Sequence, residues 1–101
     1  MYFDKVQGFN WDEGNSTKSF TKHGVTKLEA EEAFFNSSLI VAEDVKHSTN
    51  EPRYHLLGKT NSERKLHITF VLREILFKTY VRVISSRDMS KKEREIYEKE
   101  S

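Results

Sequence analysis

The chain has no cysteine, a single proline and only four glycines among its 101 residues. Without cysteine there can be no disulfide, no thiolate metal centre and no cysteine nucleophile. Long apolar runs are missing too. Nothing approaches the roughly 20 residues that cross a bilayer, and Asp4, Lys5, Asp12 and Glu13 interrupt the stretch where a signal peptide would be apolar, so a cytoplasmic protein without a membrane role is expected. There is no Gly-rich phosphate loop, no HExxH and no GxSxG, and His23, His47, His55 and His67 stand at no metal-ligand spacing, so neither a metal nor another cofactor is expected. An excess of charge of one sign is also absent. Seventeen basic residues face 16 acidic ones, a balance that argues against a nucleic-acid partner only if it is evenly spread.

It is not. Residues 1–51 hold 9 acidic and 5 basic side chains, whereas residues 52–101 hold 7 acidic and 12 basic. Between Arg53 and Arg94 the count is 11 basic to 4 acidic, and six of the eleven are arginine, whose planar fork suits phosphate better than the point charge of lysine. Charge alone divides about evenly between a solvated surface and phosphate binding. The hydrophobic share of 36%, with 12% aromatic, is enough for one folded core, and the length fits a single domain over residues 1–101.

The spacing of apolar and punctuating residues gives the elements. Gly8 to Trp11 reads as a short strand, and Asp12 can cap a polar helix that runs to His23 and stops at Gly24, a natural left-handed residue after a helix. Thr26 with Glu29 makes a capping box for a second helix to about Phe35. Four strands follow, Leu39–Ala42, Tyr54–Lys59, Leu66–Arg73 and Phe77–Ser85, which suggests an antiparallel meander. Glu74, Ile75 and Leu76 offer no turn residue for the last connection. Ser90 with Glu93 then opens a C-terminal helix carrying Ile96 and Tyr97. The fold class is therefore α+β, an antiparallel sheet of four to five strands with two N-terminal helices and one C-terminal helix.

Alternation along the strands turns Leu66, Ile68, Phe70 and Leu72 toward the core, with Val81 and Val83. The opposite face then collects Arg53, His55, His67, Arg73, Tyr80 and Arg82, with no acidic residue among them. A polar outer face is the default for a one-sided antiparallel sheet, but such faces usually mix signs, which favours an anion-binding surface. Those residue types suit RNA cleavage by attack of the 2′-hydroxyl on the adjacent phosphate, which needs a base, cations for the phosphorane charge and an acid for the leaving oxygen. Base and acid are left open among His23, His55, His67, Tyr80, Tyr97 and a lysine. His23 could equally serve as a helix C-terminal residue, Tyr97 as packing and Arg87 as a bridge to Asp88 or Glu93. A non-catalytic RNA-binding module and a protein-interaction domain are the competing classes.

One resemblance is specific. Trp11 to Asn15, Lys18, the Lys22-His23-Gly24-Val25 motif and the acidic-aromatic run Glu29–Phe35, together with Arg82 to Arg87 and Lys92, Glu93, Arg94 and Tyr97, resemble BrnT-type toxins over about Gly8 to Tyr97. Arg53, Gly58 and Arg73 fall where that family has its arginine, glycine and arginine. The resemblance implies a RelE-like fold and a ribonuclease toxin of a type II toxin–antitoxin pair, which arrests growth. It also implies a BrnA-type antitoxin partner, through which alone operator DNA is met. The open face and the family positions together make His23, Arg53, Arg73 and Arg82 the expected catalytic residues, and Lys18, Lys22, His55, His67, Tyr80, Arg87 and Tyr97 the expected RNA-binding ones. Ser86 stands where the family has alanine, and the apolar Glu74–Phe77 stretch departs from the polar turn of the family.

Overall fold

Helices begin and end where side chains satisfy the free backbone groups. The computed structural model describes residues 5–48 and 50–100, except for the side chain of Ser19. Within it, strand β1 (Val6–Phe9) leads into helix α1 (Glu13–His23) and, after a tight corner, helix α2 (Lys27–Phe35). Asp12 and Asn15 exchange side chain-to-amide bonds at the start of α1. Gly24, at φ 67°, ends it with an amide bond to the Phe20 carbonyl. The Thr26–Glu29 capping box is formed at α2, and Ser90 and Glu93 repeat it ahead of helix α3 (Lys91–Glu100).

The remaining elements are β2 (Ile40–Glu43), a 3-10 turn at Val45–His47, β3 (Arg53–Lys59), β4 (Lys65–Ile75) and β5 (Lys78–Asp88). The sheet order is β1-β5-β4-β3-β2. The meander β2 to β5 is antiparallel as expected, but β1 joins the outer edge of β5 in parallel, so the sheet is mixed. The last hairpin is longer than its sequence suggested. Ile75 pairs with Lys78 across a two-residue turn in which Leu76 and Phe77 both have positive φ, the geometry of a type I′ turn without the usual Asn or Gly.

The main core lies between the sheet and α2. Ala30, Ala33 and Phe34 meet Leu56, Leu66, Ile68, Phe70, Val81 and Val83, while Leu28 and Phe35 stay exposed. Phe34 packs edge-on against Phe70 at 5.0 Å. Gly58 lies directly under the helix, where a Cβ would stand 2.8 Å from the Ala33 carbonyl oxygen. The third helix departs from expectation. Leu57 and Ile40 gather with Met89 and Tyr97 in a separate cluster, so α3 covers the far end of the face opposite α2 and leaves only part of that face open. Among the described residues no helix is long and apolar enough to cross a membrane.

Candidate functional site

A β-bulge decides which side chains share the open face. Thr69 pairs with Ser85, but the next residue, Phe70, pairs with Val83, so Ile84 is an extra residue in β5. Strict alternation would put Arg87 on the same side as Val81 and Val83, in the core. The bulge reverses the sense. Val83 and Ser86 both turn inward and are buried, and Ser85 and Arg87 come to lie opposite Thr69 and His67.

Helix α1 runs along the β5 edge just beyond the point where β1 ends. Asn10 N–H donates to the Val81 carbonyl, and the buried Asn15 amide donates to the carbonyls of Asn10 and Val83. This seat brings Lys18, Lys22 and His23 to the rim of a cleft of about 390 Å³. Its floor is Thr69 of β4, one wall is Ile84, Ser85 and Arg87 of β5, and the other is Arg53 and His55 of β3 with Asp44 and His47 from the β2–β3 connection. A second hollow of about 230 Å³, which shares His47, Arg53 and Ile84 with the first, extends past Arg73 and Glu51.

The expected cluster of unpaired arginines does not form, because carboxylates from outside the sheet reach most of them. Arg73 is forked by Glu51 at 3.0 and 3.2 Å and lines the second hollow only. Arg82 turns to Asn10 Oδ1 at 2.9 Å and to Asp12, tying β5 to the start of α1, and lines neither hollow. Arg87 is held by both oxygens of Glu93 at 2.8 and 2.9 Å. Those bonds hold the Arg87 guanidinium above its ordinary pKa and bring the Glu93 carboxyl down to about 2 against the opposing effect of its burial. Arg53 differs: among the described residues no carboxylate lies within ion-pair distance of it.

The other expected residues divide. His55 lines the cleft and is held from both ends, by Asp44 Oδ2 at 2.8 Å and Thr69 Oγ1 at 3.2 Å. His67 stands behind it with ring centroids 4.9 Å apart; burial, aided by the Arg87 charge, holds its imidazole below the ordinary pKa, and its buried Nδ1 has no hydrogen-bond partner among the described residues. Tyr80 pairs with Arg73 and lies beside Gly8, outside the cleft. Tyr97 is 2% exposed under α3, too covered to touch a ligand. Sequence reasoning missed Asp44 and His47. Burial opposes ionisation of Asp44, yet hydrogen bonds from His55 and His47 outweigh it and bring its carboxyl down to about 2. The available signal was the Asp-x-x-His spacing, which lets Asp44 cap the 3-10 turn that carries His47.

A face built of arginines, lysines and histidines around one hub carboxylate can hold a phosphodiester and exchange protons with it. A search of curated proteins finds no match for this sequence. A family model described as the ribonuclease toxin BrnT of type II toxin–antitoxin systems matches residues 11–93, which span α1 to the first turn of α3 and include every side chain that lines the cleft, and the chain therefore belongs to the BrnT toxin family.

Proposed function

We propose that the protein is an endoribonuclease toxin that cleaves RNA in the α1–β5–β3 cleft by metal-independent transesterification. The family itself carries an RNA target and a protein antitoxin. In this reading the 2′-oxygen attacks phosphorus, the P–O5′ bond breaks with its electron pair going to O5′, and the products are a 2′,3′-cyclic phosphate and a 5′-hydroxyl. Cationic side chains stabilise the phosphorane. Arg53 is the principal one, with Arg87 behind it, and Lys18 and Lys22 on the rim guide the neighbouring backbone phosphates. Arg73 contacts RNA beyond the scissile position, and Arg82 acts through the seating of α1 rather than on the phosphate. A BrnA-type antitoxin covers the cleft in the resting cell and is the only route to operator DNA. The same reading puts the toxin in the cytoplasm.

The supporting observation is Arg53, the cleft arginine left without a carboxylate partner and so available to an anion. Incubation of purified protein with RNA in EDTA tests it. Cyclic-phosphate ends are expected, and Arg53→Ala should slow cleavage by about 100-fold or more, the scale of one lost transition-state donor. Salt-sensitive RNA binding without product would instead select a non-catalytic module.

A further inference from the structure

Three hydrogen bonds tie Asp44 into the cleft wall. Its Oδ1 accepts the His47 amide at 3.3 Å, and its Oδ2 accepts from His47 Nδ1 at 2.9 Å and from His55 Nε2 at 2.8 Å. An ionised carboxylate has acceptors only, so both ring nitrogens that face it carry protons. His55 is then committed at both ends, because its Nδ1 lies 3.2 Å from Thr69 Oγ1. His47 is not. In the neutral ring, Nδ1–H donates to Asp44 and the lone pair lies on Nε2, which has no partner among the described residues. The side chain is 59% exposed at the seam shared by the two hollows, with Arg53 beside it in both.

The turn that carries His47 and the strand that carries Arg53 form one unit. Ser48 Oγ donates to the Asp44 carbonyl at 2.6 Å and accepts the Arg53 amide at 2.8 Å. His23, at the end of α1, stands on the opposite rim, on the β5 side. Strands β5 and β3 are separated only by β4, so their backbones run about 10 Å apart. A phosphate held over Thr69 would therefore meet one histidine from each side, as an in-line displacement requires.

We infer that His47 is the general base of RNA cleavage, taking the 2′-hydroxyl proton at Nε2, with Asp44 as the positioning residue that fixes its tautomer and His23 as the acid that protonates the leaving 5′-oxygen. The inference rests on the ribonuclease reading above and assigns its proton transfers. As the O2′–P bond forms, the proton passes to His47, and Asp44 stabilises the imidazolium. As the P–O5′ bond breaks, O5′ takes the proton of the His23 imidazolium, and solvent restores both rings.

The experiment uses the full chain with RNA in EDTA and, in parallel, a ribonucleoside 3′-(4-nitrophenyl phosphate), whose leaving group needs no acid. His47→Ala should lose about 10²–10⁴-fold in kcat on both substrates, with KM within threefold and an unchanged unfolding midpoint, since the Asp44 bond to the residue 47 amide remains. His23→Ala should be slow on RNA and recover to within tenfold of wild type on the activated ester. Asp44→Asn should lower kcat, and nitrogen NMR should show the His47 ring leaving the Nδ1–H tautomer. If wild type cleaves and His47→Ala does so within threefold, the assignment of the base is wrong while the ribonuclease reading stands. If wild type forms no product from either substrate, both fall.

Discussion

Replacing Arg64 with leucine should loosen the corner that positions His23. Arg64 lies in the β3–β4 connection and forks Asp88, Nε to Oδ1 at 2.8 Å and Nη2 to Oδ2 at 3.1 Å. Its Nη1 also reaches Glu29 at 3.2 Å and the Gly24 carbonyl at 2.9 Å, and Nη2 reaches the His23 carbonyl at 3.2 Å. The substitution removes one partner from Glu29, the paired guanidinium from Asp88 and a donor from each of two helix-terminal carbonyls. A desolvated charged hydrogen bond contributes about 1.5–3 kcal/mol, but the Asp88 side chain is 60% exposed and its pairing is screened to about 0.2–1 kcal/mol. Glu29, at 25% exposed, lies between these limits, and water can replace part of what the carbonyls lose. The expected loss is about 2 kcal/mol, or roughly 8–16 °C in Tm for a domain of this size. It should also depend on pH. The Arg64 hydrogen bonds hold Asp88 below its ordinary 3.8, and the Thr26 amide together with Arg64 holds Glu29 below 4.5. Depressed carboxylates stabilise the fold fully above their unfolded values and lose that contribution as pH falls through the folded ones. Thermal unfolding of both proteins at pH 7 and pH 3 should therefore show the gap narrowing in acid. A loss under about 0.5 kcal/mol, the usual range of a surface substitution, or an equal gap at both pH values would refute the reasoning.

Two further substitutions probe the scaffold. Gly58→Ala puts a methyl 2.8 Å from the Ala33 carbonyl oxygen and 3.0 Å from Leu56 Cδ2, so α2 must lift from the sheet. Urea unfolding should show a loss of about 1–3 kcal/mol, and a neutral result would mean that the helix is not seated as described. Arg82→Ala removes the tie from β5 to Asn10 and Asp12; it should lower the unfolding midpoint and reduce RNA cleavage by less than tenfold, well short of Arg53→Ala. Equal losses in the two variants would return Arg82 to the chemistry.

The parts of the fold written in local chemistry could be read directly. Asp12, the Gly24 stop and both capping boxes fall where the side-chain pattern put them, because each depends on residues within four positions of one another. The alternation of Leu66, Ile68 and Phe70 held for the same reason. Other features escaped, beyond the parallel seat of β1 and the position of α3. The β4–β5 turn rests on Leu76 and Phe77 in left-handed conformations, which neither residue type signals. The bulge at Ile84 is a mismatch between two strands, and no single strand records it; alternation alone would have buried Arg87, which only the family motif brought to the site. Asp44 and His47 were missed because they lie in the β2–β3 connection, where strand alternation carries no signal, though connections are where a rigid scaffold often presents its chemistry.

The division of charge along the chain has a structural counterpart. Asp12, Glu29, Asp44 and Glu51, all from the acidic half, meet Arg82, Arg64, His55 and Arg73 of the basic half. Part of the positive excess of the second half is thus met within the molecule, and the net charge of +1 leaves little long-range field to draw RNA from a distance. Binding must then depend on the cations that these contacts leave over beside the cleft, and their position matters more than their number. Arg53 is such a residue, set between a histidine that has a free nitrogen and a rim that carries Lys18 and Lys22. Intramolecular neutralisation sharpens the proposed site in this way: by giving Arg73, Arg82 and Arg87 carboxylate partners, it leaves Arg53 as the cleft arginine that a phosphate could engage.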